Sequence, residues 1–236
     1  MSRHSFAVEV ERIRDAYRER NHPVVNDRYS VFLEHNLVMR QQVERGIIGL
    51  LRDHGYRHLA QARVLEVGCG AGFWLRQFVQ WGAEPSNLCG IDLLQDRVDE
   101  GRKLCASSIS IRCDDASNLE FEDGTFDLVV QFTAFTSILD PMMRTRLAQE
   151  MSRVLKPNGA ILWFDFLVSN PRNPNVRGVK RREIAQLFPG WKLALQRIVL
   201  APPISRAVAP ISSLFCRALS RFAPFCSHYL GWISRA

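Results

Sequence analysis

Three closely spaced glycines and a carboxylate beside them are the residues of this chain whose types and spacing best suit ligand chemistry. Gly68, Gly70 and Gly72 follow the short apolar run 63–67 and precede a helical pattern. Glycines at the end of a buried strand let the main chain approach a ligand closely, because no Cβ stands in the way. The adjacent carboxylate, Glu66, would repel a pyrophosphate and attract a cationic group. Strand, glycine turn and helix together predict the entry to a nucleotide-binding βαβ unit.

A second carboxylate limits the kind of nucleotide that this unit is expected to bind. Asp92 ends the apolar run 88–91 and lies 24 residues after Gly68, since 92 − 68 = 24. An acidic residue at that distance, closing the second strand, is placed to accept hydrogen bonds from ribose hydroxyls. The glycine spacing is G-x-G-x-G, whereas a dinucleotide fingerprint has G-x-G-x-x-G. The pattern therefore favours a nucleoside ligand without a phosphate chain.

The same residues carry a resemblance to a known family. The run 64–72 and the run 90–94 resemble motif I and the following acidic motif of class I S-adenosylmethionine-dependent methyltransferases. Three further segments come in the order of that family, namely an acidic turn at 114–116, a fourth strand at 126–130 and a helix-to-strand turn at 153–159. Five ordered motifs over about residues 60–200 imply the family's fold, its activity and S-adenosylmethionine as the cofactor.

The resemblance implies a cofactor-binding set at the ends of four strands. Glu66 and Gly68 would lie near the amino-acid end of S-adenosylmethionine, and Asp92 would bind its ribose. Leu93 would flank the adenine, and Asp115 would accept the exocyclic amine, a role that its acidic neighbour could also fill. The expected set is Glu66, Gly68, Gly70, Gly72, Asp92, Leu93, Asp115, Ala116, Gln131 and Phe132, of which the last two would face the methyl donor.

No catalytic base stands out in the sequence. The reaction implied is a direct displacement at the sulfonium methyl group, in which the enzyme mainly aligns the two reactants. A base is needed only where the nucleophile carries a proton of high pKa. Asp165 in the fifth predicted strand, and His35 and Tyr29 in the N-terminal helices, are the candidates, although each also suits an ordinary core or surface position.

The alternation of elements predicts an α/β fold, a Rossmann-like, seven-stranded, mostly parallel sheet with helices on both faces. An N-terminal helical cap is expected over 5–21 and 27–54. The predicted strands are 63–68, 88–92, 109–113, 126–131, 160–167, 191–200 and about 227–234, with helices at 72–82, 94–106, 141–155 and about 179–188. Ligands of such sheets bind at the carboxyl ends of the strands, where the residues named above lie.

The chain is expected to be a single domain over 1–236. It divides into the N-terminal cap, 1–58, the cofactor-binding core, 59–200, and a helical lid with the last strand, 201–236. The stretch 201–225 is an insert between strands six and seven with apolar residues at helical spacing and three arginines. Because strand six would end at the ligand edge, we expect this insert to form a lid over the acceptor site.

Composition limits the class of protein. Apolar residues make up 47% of the chain, but no apolar run approaches the roughly 18–20 residues of a membrane span. The N-terminus shows no apolar signal region, and the six cysteines form no C-x-x-C pair. We therefore expect a cytoplasmic protein with reduced thiols and no metal site.

The net charge of +7 is unevenly distributed. Residues 1–60 carry 10 basic and 8 acidic side chains, residues 61–170 carry 10 and 15, and residues 171–236 carry 11 and 1, so the three parts contribute +2, −5 and +10. The basic last quarter indicates either an anionic partner or a solvated basic surface. An anionic or lipid-linked small-molecule substrate and weak peripheral membrane contact are the partners expected; the oligomeric state is not predicted.

The function expected is methyl transfer, on oxygen, to a small-molecule or lipid- or sugar-linked intermediate of bacterial biosynthesis. C-methylation of a prenylated quinone stays open, and so does a non-catalytic cofactor-binding protein at a membrane or assembly. Nucleic acid is not expected as a partner. Methyltransferases that act on the amino groups of bases carry Asn/Asp-Pro-Pro-aromatic after strand four, where residues 131–134 here are Gln-Phe-Thr-Ala. The interleaving of aromatic and basic residues that stacks single strands is missing too.

Overall fold

The fold is built on one seven-stranded sheet with the strand order β3-β2-β1-β4-β5-β7-β6. The structure, a computed structural model, describes residues 3–20 and 30–236. The strands are β1 Val64–Val67, β2 Leu88–Asp92, β3 Ser110–Cys113, β4 Phe126–Phe132, β5 Leu155–Phe166, β6 Lys192–Leu200 and β7 Cys226–Ser234. This is the predicted Rossmann-like sheet, with each strand within a few residues of its expected position.

Nine α-helices accompany the sheet within the described residues. They are α1 Arg3–Arg20, α2 Glu34–Asp53, α3 Phe73–Gln80, α4 Gln95–Leu104, α5 Ala134–Ser137, α6 Pro141–Val154, α7 Arg181–Leu187, α8 Pro202–Val208 and α9 Ser213–Leu219. The N-terminal helices and the helical insert after β6 are present as predicted. Within the same residues, no helix is long and apolar enough to span a membrane.

Strand direction determines where the ligand edge lies. β1 to β5 run parallel to one another, and β7 is antiparallel to both β5 and β6. β6 therefore runs parallel to β5, and the carboxyl ends of β1 to β6 meet at one edge, while β7 begins there. Every predicted cofactor residue lies at or near that edge, in agreement with the general rule for open α/β sheets.

The sheet separates two layers of hydrophobic core. One layer packs α6 and α7 on the sheet, and the other packs α2, α3 and α4. Successive residues of β5 alternate between them, because side chains of a strand point to opposite faces. Trp163 belongs to the first layer and Phe164 to the second. This alternation decides which residues at the end of β5 can reach a ligand.

β5 begins five residues earlier than the prediction of 160–167. Leu155 already pairs with Phe126, and Ala160 pairs with Leu128, so the intervening residues form an irregularity in the ladder. The segment 153–159, expected as a helix-to-strand turn, therefore consists of the end of α6, 153–154, and the start of β5, 155–159. The short helix α5 was not predicted, because its four residues are too few to show a helical period.

Gly72 shows how tightly α3 and α4 pack at the ligand edge. It has φ +71°, and a Cβ there would lie 2.6 Å from Cys105 Sγ and 3.5 Å from Ile111 Cδ1. Gly190 has a similar φ of +81°, but no described atom would lie within 4 Å of its Cβ. An alanine at Gly190 would therefore meet backbone strain alone, whereas an alanine at Gly72 would meet both backbone strain and overpacking.

We predict that Gly72→Ala lowers the free energy of unfolding by about 2–4 kcal/mol, combining the left-handed backbone with a clash. Gly190→Ala, with strain alone, should cost about 1–2 kcal/mol. Urea denaturation of both variants measures the difference. Equal losses of unfolding free energy in the two variants would show that α3 and α4 move apart without an energetic penalty. That result would contradict the close packing.

Candidate functional site

A cavity of about 560 Å³ opens at the carboxyl edge of the sheet. Its floor is formed by the ends of β1, β2, β4 and β5 and by the glycine loop after β1. Two helices of the N-terminal cap form its cover, α1 through Ile13 and Tyr17 and α2 through Met39 and Arg40. The sheet edge thus supplies the polar floor, and the N-terminal helices enclose it.

The glycine loop is tied to the end of β2 by one carboxylate. Gly70 N–H donates to Asp92 Oδ2 at 2.8 Å, and Leu94 N–H donates to Asp92 Oδ1 at 3.0 Å. Gly68 and Gly70 both have positive φ, which favours glycine. A Cβ on Gly70 would find only Arg97 Cδ, at 3.9 Å, so the loop leaves open space on that side. Asp92 therefore organises the loop and lines the cavity itself.

Glu66 presents an unsatisfied carboxylate oxygen in the cavity wall. The residue is buried on β1, and its Oε2 has no hydrogen-bond partner among the described residues. Burial, and then the nearby Asp92, raise the pKa of Glu66 well above its usual range. A buried oxygen without a partner is costly, so a ligand that brings a donor or a positive charge would be bound here.

The loop after β3 supplies further carboxylates. Asp114, Asp115 and Ala116 line the cavity, and so does Leu93 after β2. Asp115 Oδ1 accepts from Ser117 N–H at 2.8 Å, which orders the turn. The predicted adenine-binding residues are thus gathered beside Asp92.

Two of the predicted cofactor residues are not among the described residues that line the cavity. The Cβ direction of Gly72 points at α4 and β3, so this glycine serves helix packing. Gln131 is buried, its Oε1 accepts from Ala134 N–H at 3.0 Å, and its Nε2 has no partner among the described residues. It shapes the turn after β4, whereas its neighbour Phe132 does line the cavity.

The far side of the cavity is a continuous aromatic wall, of which the sequence analysis predicted only Phe132 as a site residue. Its members all line the cavity and are Phe73, Trp74, Phe132, Phe164, Phe166 and His228. Trp74 stacks on Phe132 with ring centroids 4.5 Å apart, and Phe164 stacks on His228 at 4.8 Å with the planes 3° apart. The guanidinium of Arg40 lies 4.4 Å above the ring of Phe73. Such a surface suits a planar or apolar ligand and a cation placed over the rings.

His228 is the one titratable group of this wall. It lies on β7 opposite Phe166, is buried, and its Nδ1 is 3.0 Å from Ser227 Oγ. Burial lowers the pKa of His228 to about 3, so its imidazole is neutral at ordinary pH. With Nδ1 engaged, Nε2 is the atom left for a ligand. The sequence analysis did not predict this residue. Because β7 is antiparallel to β5, the first residues of β7, and not its carboxyl end, lie at the ligand edge.

Asp165 does not line the cavity, because it points to the opposite face of β5 from Phe164 and Phe166. It is fully buried and accepts hydrogen bonds from Thr136 N–H at 3.1 Å, from the Thr136 hydroxyl and from Phe166 N–H at 2.8 Å. Burial raises the pKa of Asp165 to about 7. The carboxyl holds α5 against β5, so its place in the fold fits structural support and not contact with a ligand.

Of the other two base candidates, only His35 lies within the described residues. His35, on α2, is not among the described residues lining the cavity, and burial and then Arg206 lower its pKa. Tyr29 lies outside the described residues. The insert 201–225, expected as a lid over the acceptor site, packs against α2 instead, and none of its residues lines the cavity.

A family model described as Methyltransferase domain matches residues 64–159. That segment holds the glycine loop, Asp92 and Asp115 of the polar floor, and Phe132 of the aromatic wall. The matched segment is thus similar to a methyltransferase domain, and the sheet that contains it has the fold of S-adenosylmethionine-dependent methyltransferases. This match implies S-adenosylmethionine as the cofactor, in agreement with the resemblance of the five sequence motifs.

Curated relatives of this methyltransferase act on different acceptors. A tRNA N(3)-cytidine methyltransferase of Gallus gallus is 30% identical over 115 residues, 45% of this chain and 31% of that protein. A demethylmenaquinone methyltransferase of Staphylococcus aureus is 29% identical over 127 residues, 53% of this chain and 50% of that protein. The matched part of the chain thus spans at most half the length of these relatives.

Solved structures share the methyltransferase fold over most of the chain. A protein in complex with the Trm112 methyltransferase activator of Haloferax volcanii has a TM-score of 0.62 at 18% identity, covering 88% of this chain and 96% of that one. An S-adenosylmethionine-dependent methyltransferase of Mesorhizobium loti has a TM-score of 0.59 at 15% identity, covering 80% and 98%. At such identities the likeness describes the fold alone.

The residues of this methyltransferase fit S-adenosylmethionine. The unpartnered Glu66 Oε2 suits the ammonium of the methionine part, and Asp92 suits the ribose, since each of its oxygens retains a lone pair. Gly70 leaves room for close approach. When bound, the cofactor supplies an electrophilic methyl group on a sulfonium, and the aromatic wall offers ring faces to that positive charge.

We predict that Asp92→Ala weakens S-adenosylmethionine binding about 10- to 100-fold, because charge-assisted hydrogen bonds to the ribose are lost and the glycine loop loses its anchor. Titration calorimetry measures the change. Asp99→Ala, an exposed carboxylate of α4, is the matched control and should bind normally. Unchanged affinity in Asp92→Ala would place the ribose elsewhere.

The raised pKa of Asp165 predicts a pH-dependent stability. Between about pH 4 and pH 7 the folded protein holds a proton on this carboxyl that the unfolded chain has released. Its contribution to folding is therefore lost as pH rises through that window, by up to about 1.4 kcal/mol per pH unit. Asp165→Asn, which does not titrate, should lack this dependence.

Urea unfolding of wild type and Asp165→Asn at pH 5, 6 and 7 gives the comparison. Because every other titrating group is shared, the wild type should lose stability relative to the variant as pH rises. Parallel curves would mean that the carboxyl keeps its ordinary pKa.

Proposed function

We propose that this chain transfers the methyl group of S-adenosylmethionine to a hydroxyl oxygen of a small, largely apolar or lipid- or sugar-linked acceptor. The observation that carries the proposal is the aromatic wall that ends at His228. It provides an apolar surface opposite the polar floor, with a single neutral imidazole at its end. The acceptor would lie against this wall, between the bound cofactor and β7.

His228 suits the proton that such a transfer releases. As the acceptor oxygen attacks the methyl carbon, the C–S bond breaks, a C–O bond forms and the sulfonium becomes a neutral thioether. The hydroxyl proton then sits on a positively charged oxygen, where it is strongly acidic. An imidazole with a lowered pKa is basic enough to take it, and Ser227 at Nδ1 would orient the ring.

A second candidate is C-methylation of a prenylated quinone. Two observations favour it, namely the planar rings of the wall and the demethylmenaquinone methyltransferases among the relatives. In that reaction His228 would remove the hydroxyl proton of a quinol, so that the ring carbon becomes the nucleophile. The product distinguishes the two candidates, since one is an ether and the other carries a ring methyl group.

Other acceptors fit the cavity less well. Residues 131–134 lack the motif of base amino-methyltransferases, although a tRNA methyltransferase is among the relatives. A cofactor-binding protein without catalysis would have no use for a buried imidazole in the wall opposite the cofactor site. We therefore place a small-molecule acceptor first.

The experiment is release of S-adenosylhomocysteine from radiolabelled S-adenosylmethionine. The full chain is incubated separately with the lipid fraction, the small-metabolite fraction and the transfer RNA of a bacterial extract. Turnover with the lipid or metabolite fraction, followed by an O-methyl signal in NMR of the product, supports the proposal. A ring-methyl product supports the second candidate, and turnover only with transfer RNA contradicts both.

We predict that His228→Gln lowers kcat by about 10²- to 10⁴-fold, the usual contribution of a positioned acid–base group. The affinity for S-adenosylmethionine should change by less than about threefold, because the polar floor is intact. Tyr229→Phe is the matched control, since its side chain points to the other face of β7 and turnover should persist. If His228→Gln turned over at the wild-type rate, the imidazole would have no part in the reaction.

A further inference from the structure

The insert between β6 and β7 exposes large apolar side chains. Ile211 is 86% exposed, Leu214 76%, Phe215 55% and Phe222 62%, all within twelve consecutive positions, 211–222. Phe32, just before α2, is 96% exposed. We call the four residues of the insert, together with Arg206 and Arg221, the insert face. Exposed apolar groups concentrated in this way mark a surface that another phase or molecule covers.

The insert is nevertheless anchored and not loosely attached. Cys216 and Ala209 are buried against Val38 of α2. Arg217 donates to Gln41 Oε1 at 2.8 Å, and Gln42 Nε2 donates to Ser220 Oγ at 2.9 Å. One side of the insert therefore packs on α2, and the apolar groups of the insert face are held on the outside.

The insert itself carries charge of one sign, although Glu34 of α2 lies near its Cys216. The insert carries Arg206, Arg217 and Arg221, and the sequence contains no acidic residue after Glu183. Arg206, Arg221, Leu214 and Phe215 are all exposed. Arginines beside exposed aromatic and aliphatic groups match an anionic bilayer surface, where cations meet headgroups and apolar groups enter the acyl boundary.

A second copy of the chain matches this surface less well. In a two-fold symmetric contact the same patch meets itself. The arginines of one insert would then face those of the other, with no acidic side chain in the last 53 residues, 184–236, to separate them. Charge complementarity therefore favours a lipid surface over self-association.

We propose that the insert face docks this protein on an anionic lipid bilayer, with Leu214 and Phe215 in the acyl boundary and Arg206 and Arg221 at the headgroups. α8 and α9 have seven residues each, so the contact is peripheral. α2 lies between the docked insert and the cavity that it lines with Met39 and Arg40. The proposal is independent of which acceptor is methylated.

Co-sedimentation of the full chain with vesicles tests this docking. Vesicles of phosphatidylcholine that contain about 30% phosphatidylglycerol should bind the protein. Vesicles of phosphatidylcholine alone should bind it at least about tenfold more weakly. Arg206→Glu with Arg221→Glu should lower the partition coefficient by at least about 25-fold, since each basic side chain contributes about fivefold. Leu214→Ser with Phe215→Ser should lower it by about 100-fold, about tenfold for each side chain.

Matched controls separate position from composition. Arg182→Glu changes the charge as Arg221→Glu does but lies on α7, and Leu104→Ser removes a side chain that is 52% exposed on α4. Both controls should bind vesicles as the wild type does. Circular dichroism and S-adenosylmethionine affinity, unchanged in all variants, show that the fold is kept.

Three results would overturn the proposal. The first is equal binding of wild type and both double variants to anionic vesicles. The second is an equal loss in the control variants, which would reduce the effect to overall charge and hydrophobicity. The third is sedimentation of the wild type as a dimer that Leu214→Ser with Phe215→Ser converts to monomer, which would make the insert face a contact between copies.

Discussion

The carboxylate of Asp92 is the constraint on which the ligand edge depends. By accepting hydrogen bonds from Gly70 and Leu94, it joins the glycine loop after β1 to the end of β2. Burial raises the pKa of Asp92, and these two bonds oppose that effect. A carboxylate held in this way is already oriented before a ligand binds, so binding costs less conformational entropy. Glu66 lies near it, and its Oε2 has no hydrogen-bond partner among the described residues.

The antiparallel β7 completes the site from the opposite side. Because it begins at the ligand edge, its first residues bring His228 beside Phe166. The neighbouring β6 is irregular there, since Val199 has φ +64° and stands unpaired between Ile198 and Leu200. Such a conformation is rare for a β-branched residue, and the pairing register of β6 and β7 is the same on both sides of it. The aromatic wall thus combines Phe73 and Trp74, which directly follow the glycine loop, with His228 near the other end of the sequence.

The sequence predicted the parts of the structure that depend on local pattern. The sheet, its helices and the glycine loop follow from short-range spacing, and so do the positions of Asp92 and Asp115. Gly72 and Gln131 share the motif but point away from the cavity, because adjacent residues of a turn or strand face different sides. The aromatic wall and His228 arise from pairing between distant strands, which no local period records. The apolar spacing of the insert was visible, but not that it would pack on α2.

α2 connects the two surfaces that the sequence left unrelated. Its Met39 and Arg40 line the cavity, while Val38, Gln41 and Gln42 hold the insert. Neighbouring positions of one helix thus face the ligand and the insert, as the rotation of about 100° per residue requires. A helix held from both sides transmits a shift on either to the other, provided that it moves as a rigid body. A rigid-body shift of α2 would therefore reach both the cover of the cavity and the insert face that we propose docks on a lipid bilayer.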